Sequence, residues 1–181
     1  MKFIGICGKK GSGKSIVDQM ILEYFINVKT LSFSDPIKQM TKSGYLLSDE
    51  QLDLGKDIVD ERWDMTPRDM MRSTAQMMTF LDENHMCDLM TLRIGQVSTS
   101  GLTHICISDI RFHNESDLVK QLGGIMIHVK NVSSVVEEEN EHISECYVDE
   151  IDHYCDYHIV NDGNMESMRS QVDSICRQIN K

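Results

Sequence analysis

Apolar positions come in short runs separated by longer stretches of helical periodicity. Phe3 to Cys7 is an unbroken apolar run, the pattern of a strand covered on both faces. After an interval of glycine and lysine, Ile16, Val17, Met20, Ile21 and Phe25 fall at helical spacing, predicting a helix over 14–25. Val28 to Phe33 predicts a second strand ending at Ser34-Asp35-Pro36, with a helix from Pro36, whose fixed φ suits a first turn. Thr66-Pro67 followed by Asp69 is a helix start, and the pattern predicts a helix to about Phe80 and another to about Ile94. Thr103 to Ile110, Ile125 to Val129 and Tyr157 to Val160 read as three further strands. Between them lie a short helix over 114–122, stopped by Gly123-Gly124, and the polar, weakly patterned stretch 137–151, read as mobile. Asn161-Asp162-Gly163 is a turn, and Met165 to Asn180 an amphipathic last helix. Strands alternating with helices imply an α/β fold of three layers, a five-stranded parallel sheet with helices on both faces. Strand order is not written in one sequence.

Composition narrows the picture. At 181 residues, 40% hydrophobic and 26% charged, the chain is long enough for one domain with a real core. A net charge of -11 argues against a surface that grips polymeric DNA or RNA, which requires clustered Lys and Arg. It does not argue against a small phosphate ligand held by a few amides and cations. The six cysteines show no CxxC spacing and follow no signal peptide, so free thiols in a reducing, cytoplasmic setting are expected. No apolar run approaches the roughly 20 residues of a membrane span. The thirteen methionines read as core packing.

Gly8-Lys9-Lys10-Gly11-Ser12-Gly13-Lys14-Ser15 matches the phosphate-loop pattern G-x-x-x-x-G-K-[ST] in full. Wrapping a diphosphate with successive inward N–H groups requires positive φ or close backbone approach, where glycine is needed. Lys14 would reach the β- and γ-phosphates, the Ser15 hydroxyl would ligate magnesium, and the helix from Lys14 would aim its positive end at the anion. A strand before and a helix after supply the required context. ATP with Mg2+ is the implied ligand, and the fold becomes a P-loop NTPase fold.

Ile105-Cys106-Ile107-Ser108-Asp109 is an apolar strand ending in an acid, as a carboxylate holding magnesium through water would be. Asp35, read at the end of the second strand, is placed to orient an acceptor oxygen or to cap the helix from Pro36. Arg62, Arg68, Arg72 and Arg111 are candidate anion clamps, since guanidinium grips phosphate bidentately. Arg68 and Arg72 stand one helical turn apart and face the same way. Trp63, the one tryptophan, is a candidate to stack on a base and equally a half-buried packing residue. His142, Cys146, His153, Cys155 and His158 do not form a paired zinc-ligand spacing and read instead as a solvated lid.

Several stretches resemble the deoxynucleoside monophosphate kinases of phages and large DNA viruses. They are Gly8 to Ser15, Phe33-Ser34-Asp35-Pro36-Ile37-Lys38, Thr66-Pro67-Arg68-Asp69, and Ser108 to Glu115 with Gly123-Gly124. His142-Ile143-Ser144-Glu145, Asp156 and Asn161-Asp162-Gly163 complete them in the family's order. The resemblance implies transfer of the ATP γ-phosphate to a (deoxy)nucleoside 5′-monophosphate by a single domain over 1–181. An acceptor-binding helical region at about 36–100 and a lid at about 131–156 are part of that expectation. Lys14, Asp35, Asp109 and Arg111 would be catalytic, with Ser15 and Asp109 at the metal. Asp35, Lys38, Trp63, Arg68, Arg72, Arg111 and Glu145 would line the acceptor side. Family members can dimerise, so a homodimer is within what the resemblance implies; nucleotides are the expected partners, not nucleic-acid polymers or membranes.

Two departures stand out. The chain reads Ser73-Thr74-Ala75 where the family has a Gly-Thr-Glu run, and Lys130 where it tends to carry an arginine. Two other readings stay open at this point: a kinase for another phosphorylated metabolite, phosphomevalonate-like, and an ATP-binding scaffold whose catalysis has decayed.

Overall fold

The computed structural model describes residues 1–98, 101–132, 147, 148 and 150–180. The chain forms two compact units, one of Met1–Ser32 with Arg93–Lys181 and one of Phe33–Leu92.

The first unit is built on strands β1 (Lys2–Cys7), β2 (Val28–Leu31), β3 (His104–Ile110), β4 (Ile125–Asn131) and β5 (Tyr157–Asn161). They pair in the order β2-β3-β1-β4-β5, and every pair is parallel. Helices α1 (Lys14–Tyr24), α6 (His113–Gln121) and α7 (Met165–Ile179) belong to this unit. Period-two alternation sorts the side chains of β1 between the two faces. Ile4 and Ile6 join Val17, Met20 and Ile21 of α1 and Met168, Val172 and Cys176 of α7 in one buried cluster. On the opposite face Gly5 and Gly124 let α6 approach the sheet closely. A Cβ on Gly124 would come within 2.8 Å of the Val119 carbonyl oxygen, and one on Gly5 within 2.4 Å of the Met126 sulfur. Layers of helix therefore cover both faces of the parallel sheet, as the apolar strand runs demand.

The second unit comprises α2 (Ser34–Tyr45), α3 (Asp49–Asp53), α4 (Pro67–Leu81) and the start of α5 (His85–Val97). Its small core gathers Leu47, Leu52 and Met70, flanked by Tyr45, Met65 and Met71. Thr66 caps α4 by accepting from the Asp69 amide at 3.1 Å, with Pro67 at the first helical position. Ser48 and Gln51 form a reciprocal capping box that starts α3, a helix the periodicity reading missed because it is shorter than two turns.

Most boundaries shift by a residue or a few from expectation, and two of the shifts move a candidate residue. β2 stops at Leu31, and α2 begins at Ser34 instead of Pro36. Proline is tolerated as the third helical residue because its missing N–H would lack an intrahelical acceptor anyway. Asp35 therefore sits in the first turn of α2, not at a strand end. The stretch read as mobile lies mostly outside the described residues. Of its described residues Val148 and Ile151 are buried and Tyr147 and Glu150 exposed, and Ile151–Tyr154 forms a 3-10 turn leading into β5. Among the described residues no helix is long and apolar enough to cross a membrane.

Candidate active site

The carboxyl ends of the parallel strands gather the polar residues of the first unit. β1 lies between β3 and β4, so the chain leaves it at the point where successive connections diverge to either side, the usual ligand crevice of an open α/β sheet. The phosphate loop emerges there. Gly8, Gly11 and Gly13 have φ of 147°, 76° and 102°. Gly8 is constrained by space as well, since a Cβ would lie 2.3 Å from the Val129 carbonyl oxygen. Gly11 meets nothing within 4 Å and is required by conformation alone.

Lys14 Nζ donates to the carbonyl oxygens of Gly8 at 2.6 Å and Lys9 at 2.7 Å, so the ammonium is folded over the loop. Ser12 is buried, and its hydroxyl has no hydrogen-bond partner, a costly state for a buried polar group. Ser15 is exposed in the first turn of α1, where backbone amides lack intrahelical acceptors. Two asparagines brace the loop from neighbouring strand ends. Asn131 Nδ2 donates to the Gly11 carbonyl at 3.2 Å and Asn161 Nδ2 to the Ser12 carbonyl at 3.0 Å.

Asp109 stands near the end of β3. Between the pairs Gly5–Ile107 and Cys7–Ile110, β3 contains one residue more than β1, a bulge that re-aims the side chains around Ser108 and Asp109. Ser32 Oγ donates to Asp109 Oδ2 at 2.5 Å, and the Ser32 carbonyl accepts from Arg93 Nη1 at 2.6 Å. Arg111 follows β3; its amide and that of Phe112 donate to Glu115 Oε2 at 2.7 and 3.2 Å. Glu115 is buried, and desolvation, with Asp109 adding like charge, outweighs the two amides and pushes its carboxyl up to about 8.

Of the acceptor-side candidates, Asp35, Lys38, Trp63, Arg68 and Arg72 belong to the second unit and Arg111 to the first. Arg68 forks onto Asp57, Nε to Oδ1 at 2.5 Å and Nη2 to Oδ2 at 2.8 Å. Arg72 meets Asp69 at 3.2 Å, and Lys38 meets Asp53 at 2.8 Å. Trp63 donates its indole N–H to the Tyr45 carbonyl at 3.0 Å and packs edge-on against the Tyr45 ring, leaving the residue 43% exposed. Arg62 is absorbed into the scaffold: it grips Asp60 through Nε and Nη2, which holds that carboxyl well below the usual range. Thr74, in the run that departs from the family, is buried; it accepts from Thr41 Oγ1 at 3.1 Å and donates to the Met70 carbonyl at 2.9 Å. Glu145, His142 and Cys146 lie outside the described residues.

Ser32, Arg93 and Asn131, and the loop contact of Asn161, escaped the sequence reading. Asn161 carried a signal, ending a strand just before a turn, but Arg93 sits in a helix with nothing local to distinguish it. His158 and Cys155 are not part of a solvated lid: His158 lies within β5, and the Cys155 sulfur is 3.4 Å from that of Cys7.

A parallel sheet of this order, with a glycine-strained phosphate loop at its switch point, defines a P-loop phosphotransferase fold. Two solved structures share it over nearly their whole length. Dephospho-CoA kinase from Campylobacter jejuni has a TM-score of 0.58 at 11% identity, covering 99% of this chain and 98% of its own. TT1252 from Thermus thermophilus has 0.51 at 16%, covering 98% and 97%. At such identities the likeness concerns the fold alone. The model of the deoxynucleotide monophosphate kinase family matches residues 53–172. A protein of Acanthamoeba polyphaga mimivirus, provisionally named a deoxynucleotide monophosphate kinase, is 32% identical over 191 aligned positions, 96% of this chain and 95% of its own. The chain belongs to the deoxynucleotide monophosphate kinase family.

Proposed function

We propose that this protein transfers the γ-phosphate of ATP, as its magnesium complex, to a deoxynucleoside 5′-monophosphate, releasing ADP and the deoxynucleoside diphosphate. The observation that carries the reading is the phosphate loop itself. It combines three positive-φ glycines, an orphaned buried Ser12 hydroxyl and a lysine folded over the loop, in a chain of this family.

These residues fit the ligand. Loop amides and the Ser12 hydroxyl offer donors to phosphate oxygens, and Lys14 would exchange its two carbonyl contacts for phosphate. Ser15 and Asp109 are the candidate magnesium residues, Asp109 being held by Ser32. Magnesium bound there supplies charge neutralisation on the β- and γ-phosphates. Arg111 is the candidate to stabilise charge on the group in transfer. Asp35, Lys38, Trp63, Arg68 and Arg72 are the candidates for the acceptor, with Glu145 from the proposed lid. Three of these cations already contact carboxylates, so an incoming acceptor phosphate would compete with Asp53, Asp57 and Asp69.

The test is ADP release from ATP and magnesium with each common dNMP and NMP offered in turn, for the wild type and Lys14→Ala. Turnover with one or a few acceptors, lowered about 1000-fold or more by Lys14→Ala, is expected. ATP binding with no turnover on any nucleotide would overturn the reading in favour of another phosphorylated substrate or a scaffold.

A further inference from the structure

At the β4–β5 side of the sheet, two histidines and a carboxylate converge. His128 and His158 are paired in register on adjacent strands, so their side chains lie on the same face. That is the face of Cys7, which pairs with His128 across β1 and β4. Asp152 comes from the 3-10 turn 151–154 and places one oxygen, Oδ1, against both rings. It contacts His128 Nδ1 directly and lies 2.8 Å from His158 Nε2. The rings stand 5.9 Å apart at 76°, and the three donor atoms all lie within 4.8 Å of one another.

The scaffold behind them is packed. His128 is buried between strands, and Ile151 anchors the turn in the core. The Tyr154 ring packs edge-on against His113 of α6, whose Nε2 lies 3.3 Å from the Glu150 carboxylate. His158 and Asp152 remain open to solvent, which gives an ion an entry path and room for a water ligand.

We infer that His128, Asp152 and His158 form a binding site for a zinc-class divalent ion, fastening the 151–154 turn and the start of β5 to β4. Two imidazole nitrogens and one carboxylate oxygen suit a borderline ion such as Zn2+, whereas Mg2+ and Ca2+ prefer oxygen donors. Around a tetrahedral ion with bonds of about 2.0 Å, ligand atoms stand about 3.3 Å apart. Rotation of the half-exposed Asp152 side chain lengthens its two contacts toward that spacing, the exposed His158 ring adjusts the nitrogen–nitrogen separation, and solvent is the fourth ligand. Without an ion, the shared oxygen accepts from an N–H on each ring. On binding, the nitrogens His128 Nδ1 and His158 Nε2 turn their lone pairs to the metal. The protons move to the outer ring nitrogens, or leave to solvent from a charged ring. The site shares no residue with the magnesium candidates Ser15 and Asp109 and does not depend on the kinase reading.

The experiment is titration of the metal-free, nucleotide-free full chain with Co2+ and Zn2+, following cobalt absorption bands, stoichiometry and thermal midpoint. One ion per chain, four-coordinate cobalt bands and a higher midpoint with zinc are expected. His158→Ala and Asp152→Asn, both at exposed positions, should weaken binding at least tenfold and abolish the zinc-induced rise in midpoint. His153→Ala and Cys155→Ser should leave both intact. No stoichiometric binding by the wild type would overturn the inference and leave a purely hydrogen-bonded triad. Undiminished binding in His158→Ala and Asp152→Asn would overturn it too, as would loss of zinc in Cys155→Ser alone, which would place the ion on thiols.

Discussion

The Ser32 hydroxyl donates to the Asp109 carboxylate at 2.5 Å, tying the end of β2 to the bulged end of β3. This bond helps to orient the Asp109 carboxylate. If Asp109 helps hold magnesium, Ser32→Ala should raise the magnesium concentration for half-maximal turnover several-fold. Binding of ATP measured without magnesium should stay unchanged. An unaltered magnesium dependence would remove Asp109, or its orientation, from the metal site.

Asn161 reaches from the end of β5 to the Ser12 carbonyl at 3.0 Å, bracing the loop from outside. Asn161→Ala removes this bond and the one that Oδ1 accepts from the Gly163 amide at 3.0 Å; the loop contact alone is worth about 1 kcal/mol, so ATP affinity should fall about fivefold. The thermal midpoint should move little, because Asn161 is only partly buried. Calorimetric titration with ATP checks the first effect and a melting curve the second.

Glu115 governs a pH dependence of stability. Its carboxyl is raised to about 8 in the folded protein, from about 4.5 when unfolded. Between those values the folded state holds a proton that the unfolded state has released, so stability falls as pH rises through this window. Below about pH 4.5 both states are protonated at this group and its contribution is fully present. Glu115→Gln retains an oxygen for the Arg111 and Phe112 amides but cannot ionise. The variant should therefore lose less stability than the wild type between pH 5 and about 8.5, as urea midpoints would record. Parallel pH curves for the two proteins would refute the assignment.

Arg111 presents the opposite case, a residue whose loss should leave the fold intact. Its hydrogen bond to Glu115 is made by the backbone amide, which alanine keeps, and the residue is exposed after β3. Arg111→Ala should lower kcat by about 100-fold or more, with ATP binding close to normal. Steady-state kinetics beside ATP titration separates the two effects. Unchanged turnover would end its proposed role in transfer.

Thr74 links α2 and α4 through Thr41, both threonines being buried. Thr74→Val keeps the volume but strands the Thr41 hydroxyl, a cost of about 1–3 kcal/mol. A fall in the urea midpoint with an unchanged slope is expected.

Local chemistry made much of this protein legible in its sequence. The phosphate loop could be read because glycine is required wherever the backbone enters positive φ, and the spacing of those requirements is itself the motif. Strands β1 and β3 announced themselves as apolar runs because a parallel sheet covered on both faces leaves no polar side to interrupt them. Thr66 and Pro67 marked the start of α4 for an equally local reason, unsatisfied amides in a first turn.

Tertiary structure decided what depends on distance across strands. The order β2-β3-β1-β4-β5 follows from which strand edges pair, a choice that leaves no trace in any single strand. It brought Asn131 and Asn161 to the phosphate loop and Ser32 to Asp109. It also joined His128 to His158, histidines that no spacing rule connects, with Asp152 between them. Periodicity reports which face a residue occupies. Only the assembled sheet, packed by α1, α6 and α7, determines which other residue it meets there.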